Sequence, residues 1–201
     1  PGDERRFHPG ETNIRMADVV VINKIDAAEP AAVDAVRRSV EDLNPRAVVL
    51  SARSELTLQG PPIEGKRVVV VEDGPTLTHG GMSYGAGVMA ARRFNAARLV
   101  DPRPHAVGTI RDVLDRYPAL EPLVPAMGYG HAQMEELQAT LNAADADLVL
   151  SATPIDLTRV VTLNKPITRV RYELVEAGGT PLDTLIDPIV RKTQAPAPVP
   201  A

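Results

Sequence analysis

The feature that most constrains the fold of this chain is an uninterrupted run of four valines, Val68 to Val71. An apolar run without polar alternation is typical of a central parallel strand that is covered on both faces. Similar runs occur at Val19–Ile22, 47–50 and Leu148–Ala152, and segments with helical spacing of apolar residues separate them. The sequence therefore predicts an α/β fold: an open, mainly parallel sheet with helices on both faces.

The predicted helices follow the recurrence of apolar residues every three or four positions. The clearest runs from Pro30 to Leu43, and others are expected around Val88–Ala97, over Val107–Arg116 and over residues 131–144. A last strand, Ile167–Leu174, alternates apolar and charged side chains, which indicates a half-exposed strand near an edge of the sheet.

The length of 201 residues fits one α/β domain, which we predict over residues 1–192. The second strand is expected to end at Leu50, and a Pro- and Gly-rich connector is expected over residues 58–66. Residues 193–201 are rich in proline and alanine, and we expect them to form a disordered tail.

The composition excludes several classes of function. The net charge of −4 and the aromatic content of 3% argue against a nucleic-acid partner, and the charge also argues against an anionic membrane surface. The chain has no cysteine, so disulfides, cysteine-bound zinc and thiol catalysis are excluded. No apolar run approaches the roughly 20 residues that span a bilayer. A cytoplasmic protein is expected.

The first predicted strand leads directly into Asn23-Lys24-Ile25-Asp26. In guanine-specific proteins with this tetrapeptide pattern, the aspartate accepts two hydrogen bonds from the base, and Asp26 would do so here. Asn23 would brace the loop or contact another edge of the base, and the stem of Lys24 would lie along its plane. The alternative is a turn in which Asp26 helps to start the next helix.

A second element supports the base-binding interpretation. Ser51, Ala52 and Arg53 follow the second predicted strand and resemble the Ser-Ala-Lys element whose backbone supports the base in GTP-binding folds, with arginine in place of lysine. The two elements in this order are more specific than the tetrapeptide alone.

Residues 72–87 are predicted to form a Gly-rich loop at the end of the valine strand. A carboxylate there could hold Mg²⁺, with Asp73 as the ligand, and hydroxyls, an imidazole and free backbone could bind an anion. The loop fits neither a Walker A motif nor a dinucleotide fingerprint, and tight turns against the sheet are the structural alternative. The predicted participants are Glu72, Asp73, Thr76, Thr78, His79, Gly80 and Gly81.

Two further segments are weaker candidates. The strand Leu148–Ala152 is followed by polar residues including Thr153, Asp156 and Arg159, which could line the same edge, whereas Asn164-Lys165-Pro166 is interpreted as a turn. Arg15 could pair with a phosphate, and a surface salt bridge is the equal alternative.

Three segments together resemble the cyclic 2,3-diphosphoglycerate synthetase family, whose bacterial members are often labelled predicted GTPases. They are HPGETNIRMADVVVINKID, VVVVEDGPTLTHGGMSYGAG and SATPIDLTRVVTLNKPITRVRYEL, and the likeness runs from Phe7 to Leu174. The resemblance implies a P-loop NTPase-like fold of which this chain is the carboxyl-terminal portion, with the Walker A loop upstream of it.

The resemblance also implies a function. The family's namesake uses ATP and Mg²⁺ to close an intramolecular phosphoanhydride, so we expect a phosphoryl-transfer enzyme that uses ATP or GTP and Mg²⁺ on a small phosphorylated metabolite. Asp73, with Glu72, would coordinate Mg²⁺ or orient the attacking phosphate. Arg15, His79 and Arg159 would neutralise the acceptor, and Arg92 and Arg93 are weaker candidates for this role.

Two alternatives stay open at the level of sequence. One is a regulatory or chaperone-type GTPase that reads guanine through residues 23–26, and the other is a non-catalytic module that binds an anion or a partner protein. In all three cases we expect these 201 residues alone to hydrolyse nucleotide poorly. A sheet that has lost strands would expose an edge, so a homo-oligomer is also expected.

Overall fold

The computed structural model describes residues 2–194, apart from the side chains of residues 76, 79, 80, 189 and 192–194. The chain divides into two compact units. One contains the residues up to Glu55 and those from Glu173 onward, and the other contains Leu56–Tyr172. No helix among the described residues has the length and apolar character needed to cross a membrane.

The first unit combines helices with two parallel strands, β1 and the first part of β2. Val19 lies opposite Val48 and Ile22 opposite Ser51 in the register of these strands. Its elements in chain order are α1 (Asp3–Arg6), α2 (Gly10–Met16), β1 (Val19–Ile22), α3 (Pro30–Leu43), β2 (Val48–Gln59, shared with the second unit), the end of β7 (Ile167–Glu176) and α8 (Leu182–Gln194). Both β1 and α3 have the predicted bounds.

A buried asparagine joins the helices of the first unit to its strands. Asn44 follows α3, and its side-chain amide donates hydrogen bonds to the carbonyl oxygens of Ile14 at 2.9 Å and Ala17 at 2.8 Å. These carbonyls lie at the end of α2, where the carbonyl of Ile14 also accepts the backbone N–H of Ala17 at 3.3 Å. Asn44 therefore fixes the point at which the chain enters β1.

The second unit is built on the valine strand, β3, which is parallel to each of its partners. Besides parts of β2 and β7, its elements are β3 (Arg67–Asp73), α4 (Gly74–Gly80), α5 (Ala86–Arg93), β4 (Arg98–Leu99), α6 (Gly108–Arg116), β5 (Val124–Ala126), α7 (His131–Ala143) and β6 (Leu148–Ala152). The strand order is β7-β6-β3-β4, and β5 also pairs with β3.

The predicted burial of the valine run is confirmed, because Val68–Val71 have no exposed surface. They belong to a core that includes Val88 of α5, Ile110 of α6 and Leu137 of α7. Burial of a valine side chain stabilises a fold by about 1.5–3 kcal/mol, so this strand is a principal element of the unit.

The predicted end of the second strand is wrong. Strand β2 does not end at Leu50 but continues to Gln59, because Leu56 and Leu58 alternate with polar residues and pack against the core. Strand β7 is half-exposed, as predicted, and Arg171 and Tyr172 are among its exposed residues. It is not itself an edge strand, since it has neighbours on both sides, β2 and β6.

The predicted Gly-rich loop is largely helical. Residues 74–80 form α4, because Pro75 is tolerated in a first turn and Gly81, at φ 62°, ends the helix in the left-handed region. The next helix ends at Arg93 rather than at Ala97, and Asn95 lies just beyond it at φ 55°.

Several elements were not predicted: α1, α2, the short strands β4 and β5, and α8, which contains Pro188. Residues 193 and 194 of the expected tail are the last residues of α8, and the rest of that prediction, 195–201, lies outside the described residues.

Candidate functional site

The turn that follows β1 is shaped by backbone and side-chain contacts of its own. Lys24 has a left-handed conformation, with φ 60° and ψ 34°, which costs a non-glycine residue about 1–3 kcal/mol. Its backbone N–H donates to Asn23 Oδ1 at 2.7 Å. Asp26 lies in a short 3-10 helix, Ile25–Ala27, and Asn23, Lys24 and Asp26 are exposed. The turn thus presents three polar side chains at the carboxyl end of β1.

The structure brings this turn to the predicted Ser-Ala-Arg element. The carboxylate Oδ1 of Asp26 accepts a hydrogen bond from the backbone N–H of Ser54, at 3.3 Å. The element lies inside β2 rather than in a loop: Ala52 is buried, and Arg53 is exposed beside Glu55 at 3.7 Å. One oxygen of Asp26 thereby braces the turn against β2.

Ser51 has a structural contact that the sequence did not predict. Its Oγ accepts a hydrogen bond from the guanidinium of Arg37, in α3, at 2.6 Å. The backbone carbonyl of Ser51 also accepts the N–H of Ala177, at 2.8 Å. Ser51 therefore joins α3, β2 and the segment after β7.

The two neighbouring carboxylates at the end of β3 lie in different surroundings. Glu72 is buried, with 3% of its surface exposed, and its Oε1 accepts the backbone N–H of Val88 at 2.9 Å. Burial raises its pKa above 4.5, although hydrogen bonds from Val88, Gly85 and Gly87 oppose this shift. Glu72 thus lies beneath the first turn of α5.

Asp73, by contrast, is half-buried and occupies the N-cap position of α4. Of the predicted residues in α4, Thr78 uses its hydroxyl within the helix, donating to the carbonyl of Gly74 at 3.1 Å. Gly81 ends α4, whereas the side chains of Thr76 and His79, and position 80, lie outside the description.

The loop after β5 adds a tyrosine to this edge of the sheet. Ala126, the last residue of β5, pairs with Asp73. The hydroxyl of Tyr129, three residues later, is buried and has no partner with hydrogen-bond geometry. Burial, followed by the charge of Asp73, raises the pKa of this hydroxyl, while the nearby Thr153 side chain lowers it. The side chain of Thr153 lies near this hydroxyl without the geometry of a hydrogen bond.

The end of β6 reaches the same edge, because Glu72 pairs with Ala152 in parallel register. Ser151 and Thr153 are buried there, and the hydroxyl of Thr153 donates to the carbonyl of Ile155 at 3.0 Å. Asp156 Oδ1 accepts the hydroxyl of Thr158 at 2.7 Å, and this bond lowers the pKa of Asp156. The structure thus brings the second and third predicted segments together.

A polar cleft lies between this segment and β7. Two cavities, of about 140 and 220 Å³, are both lined by Arg169 and Arg171. The smaller also contacts Thr153 and Pro154, and the larger contacts Asp156 and neighbouring residues.

Among the described side chains, the remaining basic residues that the sequence offered as candidates do not line this cleft. Arg15 pairs with Glu11 on α2 at 2.7 Å, which is the salt bridge that the sequence left as an alternative. Arg92 pairs with Glu121 at 2.7 Å and lies over the ring of Tyr84. Arg159 is exposed. In the predicted turn, Lys165 Nζ donates to the carbonyl of Leu141, at the end of α7, at 2.8 Å.

Sequence reasoning missed Tyr129 and Arg169. Tyr129 follows a three-residue strand, β5, whose sequence Val-Pro-Ala carries no strand signal, so nothing placed it at the edge. Arg169 was interpreted as the solvent side of β7. A signal was present, because Arg169 and Arg171 recur two positions apart and therefore share a face.

The described residues contain no cluster of three or more acidic or histidine side chains that could hold a metal ion by themselves. A Mg²⁺ ion needs no such cluster, because it usually binds one or two carboxylates together with substrate phosphates and water. Asp73 at the end of β3 fits a single-carboxylate contribution of that kind.

The fold is α/β with a mainly parallel sheet and helices, as predicted. Residues 2–51 match the CobW/HypB/UreG nucleotide-binding domain, a match that includes the Asn23–Asp26 turn. The chain is also similar to the arginine synthetase ArcE of Thermococcus kodakarensis, with 54% identity over 188 residues. That region is 93% of this chain and 42% of the relative, so the chain spans less than half of the relative's length. Neither match carries the name of cyclic 2,3-diphosphoglycerate synthetase.

Proposed function

We propose that this chain is part of a nucleotide-dependent synthetase that transfers a phosphoryl group to a small acceptor related to arginine. The observation that carries the proposal is the hydrogen bond between Asp26 and Ser54. It joins the Asn23–Asp26 turn, which lies in the segment that matches a nucleotide-binding domain, to the residue that follows the Ser-Ala-Arg element. The acceptor class comes from the 54% identity to a protein named arginine synthetase.

In this proposal the base binds at the carboxyl end of β1. Asp26 retains lone pairs beyond the one used by Ser54, since an ionised carboxylate accepts about four hydrogen bonds. A guanine ring N–H and amino group would match them, whereas adenine has no such pair of donors. Asn23 and the strained Lys24 hold the turn open toward solvent.

The phosphate end needs groups beyond the base site. The 201 residues contain no Gly-Lys-Ser/Thr sequence, so we propose that residues outside this chain cradle the phosphates. Mg²⁺ would neutralise phosphate charge when bound, and Asp73 would supply one carboxylate to it. Glu72 would act as a positioning residue, because its carboxylate is already committed to α5.

The acceptor chemistry follows from what an arginine synthetase must make. The simplest route starts from citrulline, which has a ureido oxygen where arginine has nitrogen. The γ-phosphoryl group passes to that oxygen, ammonia attacks the ureido carbon, and phosphate leaves with the oxygen; nucleoside diphosphate, phosphate and arginine result. Phosphoryl transfer depends chiefly on positioning and charge neutralisation. The Tyr129 hydroxyl and Thr153, at the same edge as Asp73, are the groups we propose to orient the acceptor.

Two other functions have a specific observation in their favour. The match of residues 2–51 to a nucleotide-binding domain fits a GTPase that acts without a phosphorylated acceptor. The three segments that resemble cyclic 2,3-diphosphoglycerate synthetase fit an ATP-driven ring closure of a phosphorylated acid. Both share the nucleotide site with the lead proposal and differ in the acceptor.

One experiment separates the three. The full-length protein that contains this chain is incubated with Mg²⁺ and ATP or GTP, alone, with citrulline and ammonia, or with 2,3-diphosphoglycerate. Nucleoside diphosphate and products are measured by chromatography and mass spectrometry.

The proposal expects nucleotide consumption that requires citrulline and ammonia and yields arginine. Consumption that requires the phosphorylated acid would replace it with the ring-closing reaction, and GTP hydrolysis without an acceptor would replace it with the GTPase. If neither nucleotide binds or is consumed under any condition, the nucleotide-dependent function is wrong.

A further inference from the structure

Arg169 is held in the second unit in a way that leaves part of its guanidinium unused. It lies on β7 opposite Ser151 of β6, and β7 has a neighbouring strand on each side. One terminal nitrogen donates to the carbonyl of Pro154 at 2.6 Å. The Nε atom, however, is buried and has no hydrogen-bond partner. Arginine is rarely buried without a partner, because removing a donor from water without a replacement is costly.

No carboxylate of the described residues forms a salt bridge with this arginine, although the charge of Arg169 helps to lower the pKa of the nearby Asp156. Among the described side chains, none of Arg169, Arg171 and Arg159 has a carboxylate within 4.0 Å. Asp156 is the acidic residue that lines the cleft, and its Oδ1 is engaged by the hydroxyl and N–H of Thr158. Two guanidinium groups and one carboxylate line the cleft, so the lining carries a net positive charge. The chain as a whole, by contrast, has a net charge of −4.

The space beside Arg169 suits a small anion. Cavities of about 140 and 220 Å³ flank it, and Arg171 lines both. A water molecule occupies about 30 Å³ of liquid, so either cavity admits a carboxylate or phosphate group together with some of the molecule that carries it. Ser151 and Thr158 are among the residues that line the larger cavity, and the Thr158 hydroxyl, which donates to Asp156, can still accept a hydrogen bond.

We propose that Arg169, supported by Arg171, forms an oxyanion-binding site for the carboxylate or phosphate of a small metabolite. A guanidinium presents planar pairs of donors that match two oxygens of either anion. Arg169 keeps donors beyond the one that the carbonyl of Pro154 accepts. The anion site stands on this geometry alone; its assignment to the acceptor substrate rests on the proposed function.

The test compares thermal unfolding of the full-length protein in chloride, acetate and inorganic phosphate at equal ionic strength. A ligand that binds only the folded state raises the midpoint of unfolding. We expect acetate or phosphate to raise the midpoint above its value in chloride, and whichever is more effective identifies the anion as carboxylate or phosphate.

Three variants locate the effect. Arg169→Gln is expected to abolish the anion-dependent shift, because the charge and the planar donors are lost. Arg169→Lys keeps the charge but lacks the planar donors, so we expect it to retain only a small part of the shift. This variant can be used for the comparison if Arg169→Gln does not fold. Arg116→Gln, an exposed residue of α6, removes one charge elsewhere in the same unit and is expected to leave the shift intact.

Two results would overturn the proposal. One is a wild-type midpoint that responds to acetate and phosphate no more than to chloride. The other is a shift that survives in both Arg169 variants, which assigns the anion to another site. In turnover assays, Arg169→Gln is expected to raise the KM for the acceptor roughly 10- to 100-fold, as expected for loss of a hydrogen bond to a charged group. Absence of nucleotide turnover in the wild type would refute the proposed function but leave the thermal test of the anion site intact.

Discussion

The buried carboxylate of Glu72 accepts a hydrogen bond from the backbone N–H of Val88 at 2.9 Å. This contact joins the end of β3 to the first turn of α5, where backbone N–H groups have no partner within the helix. Glu72 thereby holds both ends of the segment that contains α4. The adjacent Asp73 occupies the N-cap of α4 instead, so two neighbouring carboxylates have separate surroundings.

Glu72→Gln is expected to flatten the dependence of stability on pH. Burial raises the pKa of Glu72 above 4.5, so the folded protein keeps a proton that the unfolded chain releases. The free energy of unfolding therefore falls as pH rises from 4.5 through the pKa of Glu72 in the folded protein, and the neutral glutamine removes this decrease. Urea unfolding at a series of pH values between about 4 and 8 measures the free energy of unfolding. Glu41→Gln, at an exposed position of α3, is the control and should keep the wild-type slope; an equal slope in Glu72→Gln would contradict the prediction.

Gly87→Ala is expected to destabilise the protein by about 1–3 kcal/mol, the usual cost of overpacking a core. A Cβ at this position would crowd Val70 Cγ1 and lie 3.1 Å from Ala152 Cβ. Gly130→Ala is a matched control, because the nearest atom to its Cβ would be 3.4 Å away, on Gln133. Chemical denaturation of both variants tests the difference, and similar stabilities would show that α5 can move away from the sheet.

Asp26→Asn is expected to weaken guanine nucleotide binding and to shift preference toward xanthine nucleotides. The amide replaces one acceptor by a donor, which suits the exocyclic oxygen of xanthine and repels the amino group of guanine. Fluorescence titration of the full-length protein with labelled GTP and XTP measures the preference. Asp34→Asn, exposed on α3, controls for the lost charge. An unchanged preference would mean that residues 23–26 form only a turn.

Asp73→Asn is expected to lower Mg²⁺-dependent turnover of the full-length protein more than it lowers nucleotide affinity. A carboxylate near the metal acts mainly on charge that develops during phosphoryl transfer, so the effect should fall on kcat. Turnover at several Mg²⁺ concentrations, with nucleotide binding measured separately, distinguishes the two. Wild-type turnover in this variant would remove Asp73 from the active site.

Tyr129→Phe is expected to leave stability within about 0.5 kcal/mol of the wild type while reducing turnover. The hydroxyl is buried and has no partner with good geometry, so its removal sacrifices no established hydrogen bond in the free protein. A ligand that bonds to it would lose that contact. Thermal unfolding and steady-state kinetics are measured on the same preparation. A marked loss of stability with normal kinetics would assign Tyr129 to the fold alone.

The sequence predicted those features of the fold that depend on local patterns. Val19–Ile22 and Pro30–Leu43 have the expected bounds, since apolar spacing and a proline in the first helical turn fix them within a few residues. The prediction was wrong for α4, because the glycines in this segment indicated a loop. It was also wrong for β2, because the polar residues after Leu50 indicated the end of the strand. In both segments, contacts with the rest of the unit outweighed local preference.

The same division holds for the candidate site. The residue types at the ends of the strands could be predicted, because Asn-Lys-Ile-Asp and Glu-Asp directly follow or end apolar runs in the sequence. Which of these groups have hydrogen-bond partners became clear from the three-dimensional structure. In the folded chain, Glu72 bonds to α5, whereas the Nε of Arg169 and the hydroxyl of Tyr129 are buried without a hydrogen-bond partner. This is because the hydrogen bonds and burial of these groups depend on residues from distant parts of the chain. Strand pairing brings those residues together, and their spacing in the sequence does not show it.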